Sequence, residues 1–461
     1  MFETEIYTER RQKLTDQIDN GVIIIFGNKE CSRNYKANYY PFRQDSSFLY
    51  LFGIDYPDLI GLIDIDSGEE AIYGNDPGLD DIIWMGPQSS LSERCERTGI
   101  KTTKSLDKFS EDVHNIIEGK RRIHYLPPYR EQRRQQIEYY LDIKGGEAYN
   151  KYSRELVNSL INLRSVKSLP EIKEIEDTIS KITYMMHVSA MKMAMPGNYE
   201  YTISGTVESL GLTNNCHMAF PVICTIHGDI LHNTYQGNQL KQGNMLLVDA
   251  GSESSEHYAT DITRTIPVGR KFSQIQSEIY NIVLKAEEES IKIVRPGLTY
   301  KSIHVNAAKI IASGLKDLGL MKGDINDAVN QGAHSLFFPH GLGHMLGLDV
   351  HDMEDLGEDN VGYDHETKRS SQFGISYLRL GKKLREGFVL TVEPGIYFIP
   401  ELIKRWESEK KLHDFINFNK VQSYIDLGGI RIEDDVLVTK DGCRILGQPI
   451  PKKIDELENI K

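Results

Sequence analysis

The sequence predicts an α/β (α+β) protein in two parts, a mixed-sheet α/β domain over residues 1–165 and a second α/β domain over 166–461, entered through a helical connector at about 166–195. Three observations predict this. Short uninterrupted apolar runs of strand length punctuate the first part. Apolar residues fall into helical spacing near residue 170. Beyond it, long amphipathic stretches alternate with strand-like runs.

Taken in order, residues 7–18 form a charged amphipathic start, and Val22-Ile23-Ile24-Ile25-Phe26 reads as a buried strand closed by Gly27-Asn28. The aromatic segment 39–53 and the run 59–65 both read as strand-rich. Pro170, acidic residues in the turn that follows, and Ile175, Ile179, Ile182, Met185 and Met186 predict the connector helix. Further helices are expected over 277–294 and 302–318, and strands over 245–250, 262–268, 388–392 and 430–438. Two polar, charged segments, 354–385 and 400–427, are expected as surface insertions, long enough to be functional or partner-facing.

Composition narrows the function. Lys plus Arg number 54 and Asp plus Glu 67, a net charge of -13, which argues against nucleic acid or an anionic membrane as partner. Hydrophobic content of 39% and charged content of 26% are those of an ordinary globular chain. No run approaches the ~18 apolar residues of a membrane span. The opening Met1-Phe2-Glu3-Thr4-Glu5 is acidic, unlike a signal peptide, so a cytoplasmic protein is expected. Cys31, Cys95, Cys216, Cys224 and Cys443 are scattered without a CxxC pair and read as reduced core residues.

Five residues carry the chemistry: Asp249, Asp261, His344, Glu393 and Glu433. Each sits in an apolar strand-like run or a glycine-rich loop, where an acid is out of place unless a cation compensates it. Residues 245–251 and 261–266 fit a hairpin; a turn centred near Ser255 would set Asp249 directly opposite Asp261, with Cβ atoms within about 5 Å. Glu393 ends an apolar run before Pro394-Gly395, a turn signal. Period-two alternation in Gly429-Ile430-Arg431-Ile432-Glu433 puts Arg431 beside Glu433 on one face. The histidines His340 and His344, four apart, lack the adjacent glutamate of a zinc-protease helix, and their glycines predict a loop. Any one of these residues alone would be a cap or a hydrogen-bonded loop group. Together they form a hard, oxygen-rich set for two divalent metal ions, best suited to Mn²⁺, with Zn²⁺, Co²⁺ or Fe²⁺ as alternatives. Two such ions sharing a hydroxide make amide-hydrolysis machinery.

The segments VDAG (Asp249), TDITRT (Asp261), PHGLGHMLGLDVHD (His344), TVEPGIY (Glu393) and GGIRIEDD (Glu433), in this order, resemble the metal-dependent proline peptidases of the pita-bread fold, most closely the aminopeptidase P family. The first part, with YPFRQDSSFLYLFGID, is similar to that family's N-terminal domain. The resemblance implies a pita-bread metallopeptidase domain that hydrolyses the Xaa-Pro bond at a peptide N-terminus through a hydroxide bridging two metals. It implies that Asp249 chelates one metal, His344 and Glu393 the other, and Asp261 and Glu433 both. It further implies that Glu393 relays a proton to the leaving imino nitrogen. His232, His340 and His351 would bind the scissile carbonyl and tetrahedral intermediate and shape the proline pocket, with Tyr397 and Arg431 as further pocket residues. A homodimer or homotetramer is expected on the same ground. Residues 225–229 lack the Ser/Gly-rich stretch common before the position of His232 and add His227. For His257, His304, His334 and His365 a structural role is expected.

Two other readings compete. A prolidase would cleave only Xaa-Pro dipeptides on the same scaffold. A metal-free pita-bread binding protein, or a creatinase-like enzyme without metals, would have lost ligands that are all present here.

Overall fold

The computed structural model describes residues 2–460. The chain divides into two compact units, Met1–Arg164 with Met353–Asn360, and Ser165–Asp352 with Val361–Lys461. The start of the segment expected as a surface insertion, Met353–Asn360, therefore belongs to the first unit.

In the first unit, strands β1 (Val22–Phe26), β2 (Ile60–Asp64), β3 (Glu70–Tyr73), β4 (Thr102–Lys104) and β5 (Ile123–His124) form one sheet in the order β4-β3-β2-β1-β5. The sheet is mixed: β1 runs antiparallel to β2 and parallel to β5. All five β1 side chains are buried, as a strand covered on both faces requires. The aromatic segment departs from expectation, because Ser46–Phe52 is an α-helix rather than strand. Its ends explain why: the Asp45 carboxylate accepts from the Phe48 N–H (3.0 Å), and Gly53 leaves the helix in the left-handed conformation at φ 63°. All seven of its side chains are buried, and that packing outweighs aromatic strand propensity.

The second unit opens with helices Leu169–Thr178 and Tyr184–Met193, joined through a wider turn at Ile179–Thr183. The Ser168 and Glu171 side chains cap the first of these reciprocally. Strands follow as β6 (His217–Met218), β7 (Ile223–Thr225), β8 (Met245–Ala250), β9 (Ser252–Glu253) and β10 (Ile262–Pro267). After the helices Gln274–Ile293 and Tyr300–Asp317 come β11 (Val389–Val392), β12 (Gly395–Tyr397), β13 (Gly429–Arg431), β14 (Asp434–Val438) and β15 (Cys443–Ile445). Three sheets, β10-β8-β7, β11-β14-β15 and β12-β13, hold the site, and a bridge between Thr263 and Glu433 links the first to the β13–β14 junction. The expected strand over 430–438 is thus two strands broken at Ile432-Glu433.

The β8–β10 register differs from expectation by two residues: Asp249 faces Thr263, not Asp261. The turn decides this. Ser254 N–H donates to the Tyr258 carbonyl (3.0 Å) and His257 takes φ 67°, so the reversal centres one residue later than Ser255. A shift of two keeps every side chain on its face, so Asp249 and Asp261 remain on one side of the sheet. Opposite Asp261, Gly251 is obligatory, because a Cβ there would meet the Thr260 carbonyl oxygen at 1.6 Å.

Candidate metal centre

Each acid arrives on its own element. Asp249 lies in β8, Asp261 immediately precedes β10, Glu393 follows β11, and Glu433 sits in the break between β13 and β14. His344 comes from a glycine-rich loop pressed onto β11: its N–H donates to Thr391 Oγ1 (3.2 Å), and Thr391 N–H donates to the His344 carbonyl (3.0 Å). Gly343 allows that approach, since a Cβ there would lie 2.1 Å from the Thr391 carbonyl oxygen.

Asp261, His344 and Glu433 each offer one donor atom, all within 4.8 Å of one another. His344 Nε2 lies 3.4 Å from Asp261 Oδ2 and 3.6 Å from Glu393 Oε1. His344 Nδ1 faces the Met345 carbonyl (3.1 Å), an obligate acceptor, so the ring proton belongs on Nδ1 and Nε2 keeps its lone pair for a cation. Asp249 accepts from Arg431 Nη2 through Oδ2 (2.6 Å), while its Oδ1 is buried without a donor. Glu433 accepts from Thr263 Oγ1 through Oε2 (2.6 Å), and its Oε1 is likewise buried without a donor.

These orphaned oxygens test the fit of a metal. Buried carboxylate oxygens without hydrogen-bond donors are costly, and Arg431 can offset only one of four acids. Burial, together with neighbouring carboxylates, pushes Asp261 and Glu433 well above the usual carboxylate range. Burial also raises Glu393, against the opposing pull of His344 and Arg431. Four converging buried carboxylates, three of them with the charged form disfavoured, beside an imidazole with a bare nitrogen, suit divalent cations.

Around this cluster a cavity of about 840 Å³ is lined by all five residues and by His232, His340, His351 and Arg431. Tyr397 stands directly behind it. His340 Nδ1 faces the Gly341 carbonyl (2.8 Å), so Nε2 accepts from the Tyr397 hydroxyl (2.8 Å), whose oxygen accepts from Arg431 Nη1 (3.0 Å). Burial keeps His340 neutral, with its pKa pushed down to about 3, and also lowers His232. Although burial opposes its charge, Arg431 is held protonated by Tyr397, Asp249 and Glu433. The His351 ring packs edge-on against His344, with centroids 4.2 Å apart.

His227, His257, His304, His334 and His365 do not line the cavity. Sequence reasoning missed the wall beyond the cluster. Phe373, Tyr377 and Arg379 come from one segment expected as a surface insertion, and Glu401, Leu402 and Arg405 from the other. Their length was the available signal. Asp435, whose Oδ2 accepts from the Asp261 N–H (3.0 Å), was also missed, although it stands within the GGIRIEDD segment.

The family model of metallopeptidase family M24 matches residues 177–440. The chain belongs to metallopeptidase family M24. The aminopeptidase P N-terminal domain model matches residues 7–124. The chain is 32% identical to Xaa-Pro aminopeptidase of Haemophilus influenzae, over 99% of this chain and 97% of that protein. It is 30% identical to Xaa-Pro aminopeptidase of Escherichia coli, over 98% and 97%. Among solved structures it is similar to E. coli aminopeptidase P with the inhibitor Pro-Leu, at a TM-score of 0.81 and 27% identity, covering 100% of this chain and 98% of that one. The M24 chain is a hydrolase of the metallo-aminopeptidase type, with the mixed-sheet N-terminal domain and pita-bread C-terminal domain that its sequence segments implied, and the family implies divalent metal ions.

Proposed function

We propose that this M24 peptidase removes the N-terminal residue from peptides whose second residue is proline. One observation carries the reading: four carboxylates and a bare imidazole nitrogen converge in a cavity already walled by a buried His–Tyr–Arg chain. The names and bound inhibitor of the similar bacterial enzymes support it.

In this reading Asp249 would hold one metal, His344 and Glu393 would hold a second, and Asp261 and Glu433 would contribute to both, with Mn²⁺ favoured by the oxygen-rich donors. When bound, the cations acidify water and polarise a carbonyl. The protein supplies the rest. Glu393 Oε1 faces the ligand cluster, whereas Oε2 is directed towards His340 Nδ1 (3.9 Å), leaving Oε2 to take a proton from attacking water and pass it to the departing proline nitrogen. His232 and His351 donate to the scissile carbonyl and the tetrahedral oxyanion. His340, Tyr397 and Arg431, locked to one another, shape the proline pocket.

A volume of about 840 Å³ lies in the upper part of the ~300–1,000 Å³ range of ligand cavities. That room supports peptides longer than a dipeptide over a prolidase. We further infer self-association as a homodimer or homotetramer, supported by the helix Leu79–Met85, which buries none of its residues and exposes Leu79, Ile83, Trp84 and Met85. Five free cysteines support a cytoplasmic setting, and no helix among the described residues is long and apolar enough to cross a membrane. The test is an assay of Xaa-Pro dipeptides against longer Xaa-Pro peptides after chelation, with and without added Mn²⁺. Cleavage of longer peptides restored by metal is expected. Activity confined to dipeptides would establish prolidase, and metal-independent activity would sink the reading.

A further inference from the structure

His232 reaches the cavity from a long loop between β7 and β8 that contains no helix or strand of its own. Its first part, residues 226–238, is thirteen residues of irregular backbone, a poor platform for a side chain that must be placed to within a fraction of an ångström. The structure supplies the missing rigidity from elsewhere.

Glu200, the first residue of the helix Glu200–Thr213, is completely buried, and no lysine or arginine pairs with it among the described residues. Its carboxylate is instead spent on both ends of the His232 loop. Oε1 accepts from the Ile226 N–H (2.7 Å), where the chain leaves β7, and Oε2 accepts from the Asn238 N–H (3.0 Å), where it turns back towards β8. The Asn238 side-chain amide donates to the same carboxylate (3.0 Å to Oε2), and the Glu200 N–H donates to the Asn238 carbonyl (3.1 Å). Within the loop, Thr225 Oγ1 accepts from the His227 N–H (3.0 Å) and from Asn233 Nδ2 (2.9 Å). A buried acid without a cation is tolerated when charge-assisted hydrogen bonds and a helix N-terminus satisfy it. Here those bonds all fall on the two feet of one loop.

We propose that Glu200 is a positioning residue for this peptidase, a clasp that closes the 226–238 loop and thereby sets His232 against the substrate carbonyl. The inference rests on the reading of His232 given above. It separates Glu200 from a residue that only stabilises the fold, because its effect on turnover must pass through His232.

The experiment compares E200Q, E200A, H232A and the double variant E200Q/H232A, each loaded with Mn²⁺, on one Xaa-Pro peptide. Amide hydrogen exchange over 226–238 is followed in parallel. Glu200→Gln keeps the shape and one acceptor, so it remains informative if Glu200→Ala fails to fold. E200Q is expected to speed loop exchange and to lower kcat/KM at least 10-fold, with most of the loss in kcat. The double variant is expected to match H232A within about twofold, since a misplaced side chain cannot be lost twice. Losses that multiply in the double variant would overturn the proposal, as would wild-type loop exchange in E200Q or a loss in E200Q when H232A costs nothing. An unimpaired H232A would in addition overturn the assigned role of His232, whereas normal loop exchange would overturn the clasp alone.

Discussion

Glu433 and Asp434 are consecutive, buried carboxylates with opposite surroundings. Asp434 accepts from Arg264 Nη2 (2.7 Å) and from Lys452 Nζ, which also donates to Glu287 (2.6 Å). Burial opposes its charge, yet the two cations hold Asp434 far below the usual carboxylate range. Glu433, one residue earlier, faces Asp261, Glu393 and Asp249, and burial with those neighbours drives it far above that range. One side of the junction carries its own cations and the other leaves room for foreign ones. Arg264 joins the two, since its Nη1 also donates to the Glu433 carbonyl (2.6 Å). The neutralised side is hydrogen-bonded directly to the side proposed to bind metal.

The comparison can be broken most severely at Glu393. Glu393→Gln is expected to remove turnover by 10³-fold or more while the protein stays folded, as measured by peptide cleavage and circular dichroism; substantial residual activity with Mn²⁺ would contradict the proton-relay role. Next comes the self-neutralised side. Arg264→Met leaves Asp434 and Glu287 with only Lys452 and is expected to cost about 3–5 kcal/mol in denaturant unfolding, with or without metal. Loss of stability below about 1 kcal/mol would show that the network is not what supports Glu433.

The metal side behaves in the opposite sense. Asp261 and Glu433 have folded-state pKa values above their unfolded ones, so their contribution is full below about pH 4 and is lost as pH rises through the raised values. Metal-free protein is therefore expected to melt at lower temperature as pH rises from 5 to 8. Mn²⁺ at 100 times its dissociation constant is expected to restore about 2.7 kcal/mol. A pH-independent melt in chelator would refute the strain attributed to these acids.

A separate effect lies behind the cavity wall. Burial lowers His304 to about 3 and His334 to about 4. Their contribution is complete above about pH 6.5 and is lost as pH falls towards those values, with a slope of at most about 1.4 kcal/mol per pH unit for each ring. Substituting both with Gln is expected to flatten the acid limb of the stability profile between pH 6.5 and 4.5 without altering the alkaline one. An unchanged acid limb would assign that slope to other groups.

The four converging acids were legible because each stands in a short apolar context that makes a carboxylate conspicuous. The sequence disclosed β1 to the residue, since an unbroken Val-Ile-Ile-Ile-Phe run has few other uses. It misled at Ser46–Phe52, where a capping aspartate and a left-handed glycine turn strand-forming residues into a helix. It also misplaced the β8–β10 turn, whose centre depends on a histidine adopting positive φ. The cavity wall from Phe373 to Arg405 was signalled only by the length of its segments, because polar segments have no periodicity from which to infer what they enclose. Glu200 was equally hidden: apart from the Asn238 side-chain amide, its partners are backbone N–H groups, which leave no trace in side-chain pattern.

The contact between Gly343 and Thr391 bears on attempts to alter this enzyme. With no space for even a methyl group at Gly343, the imidazole of His344 is mounted on a seat that cannot slide. Redesign for a softer or larger ion would have to exchange the coordinating heads themselves, or reshape the opposite, carboxylate-bearing wall. A library that diversifies the glycines of this loop would return mostly proteins with His344 Nε2 displaced from the neighbouring carboxylates.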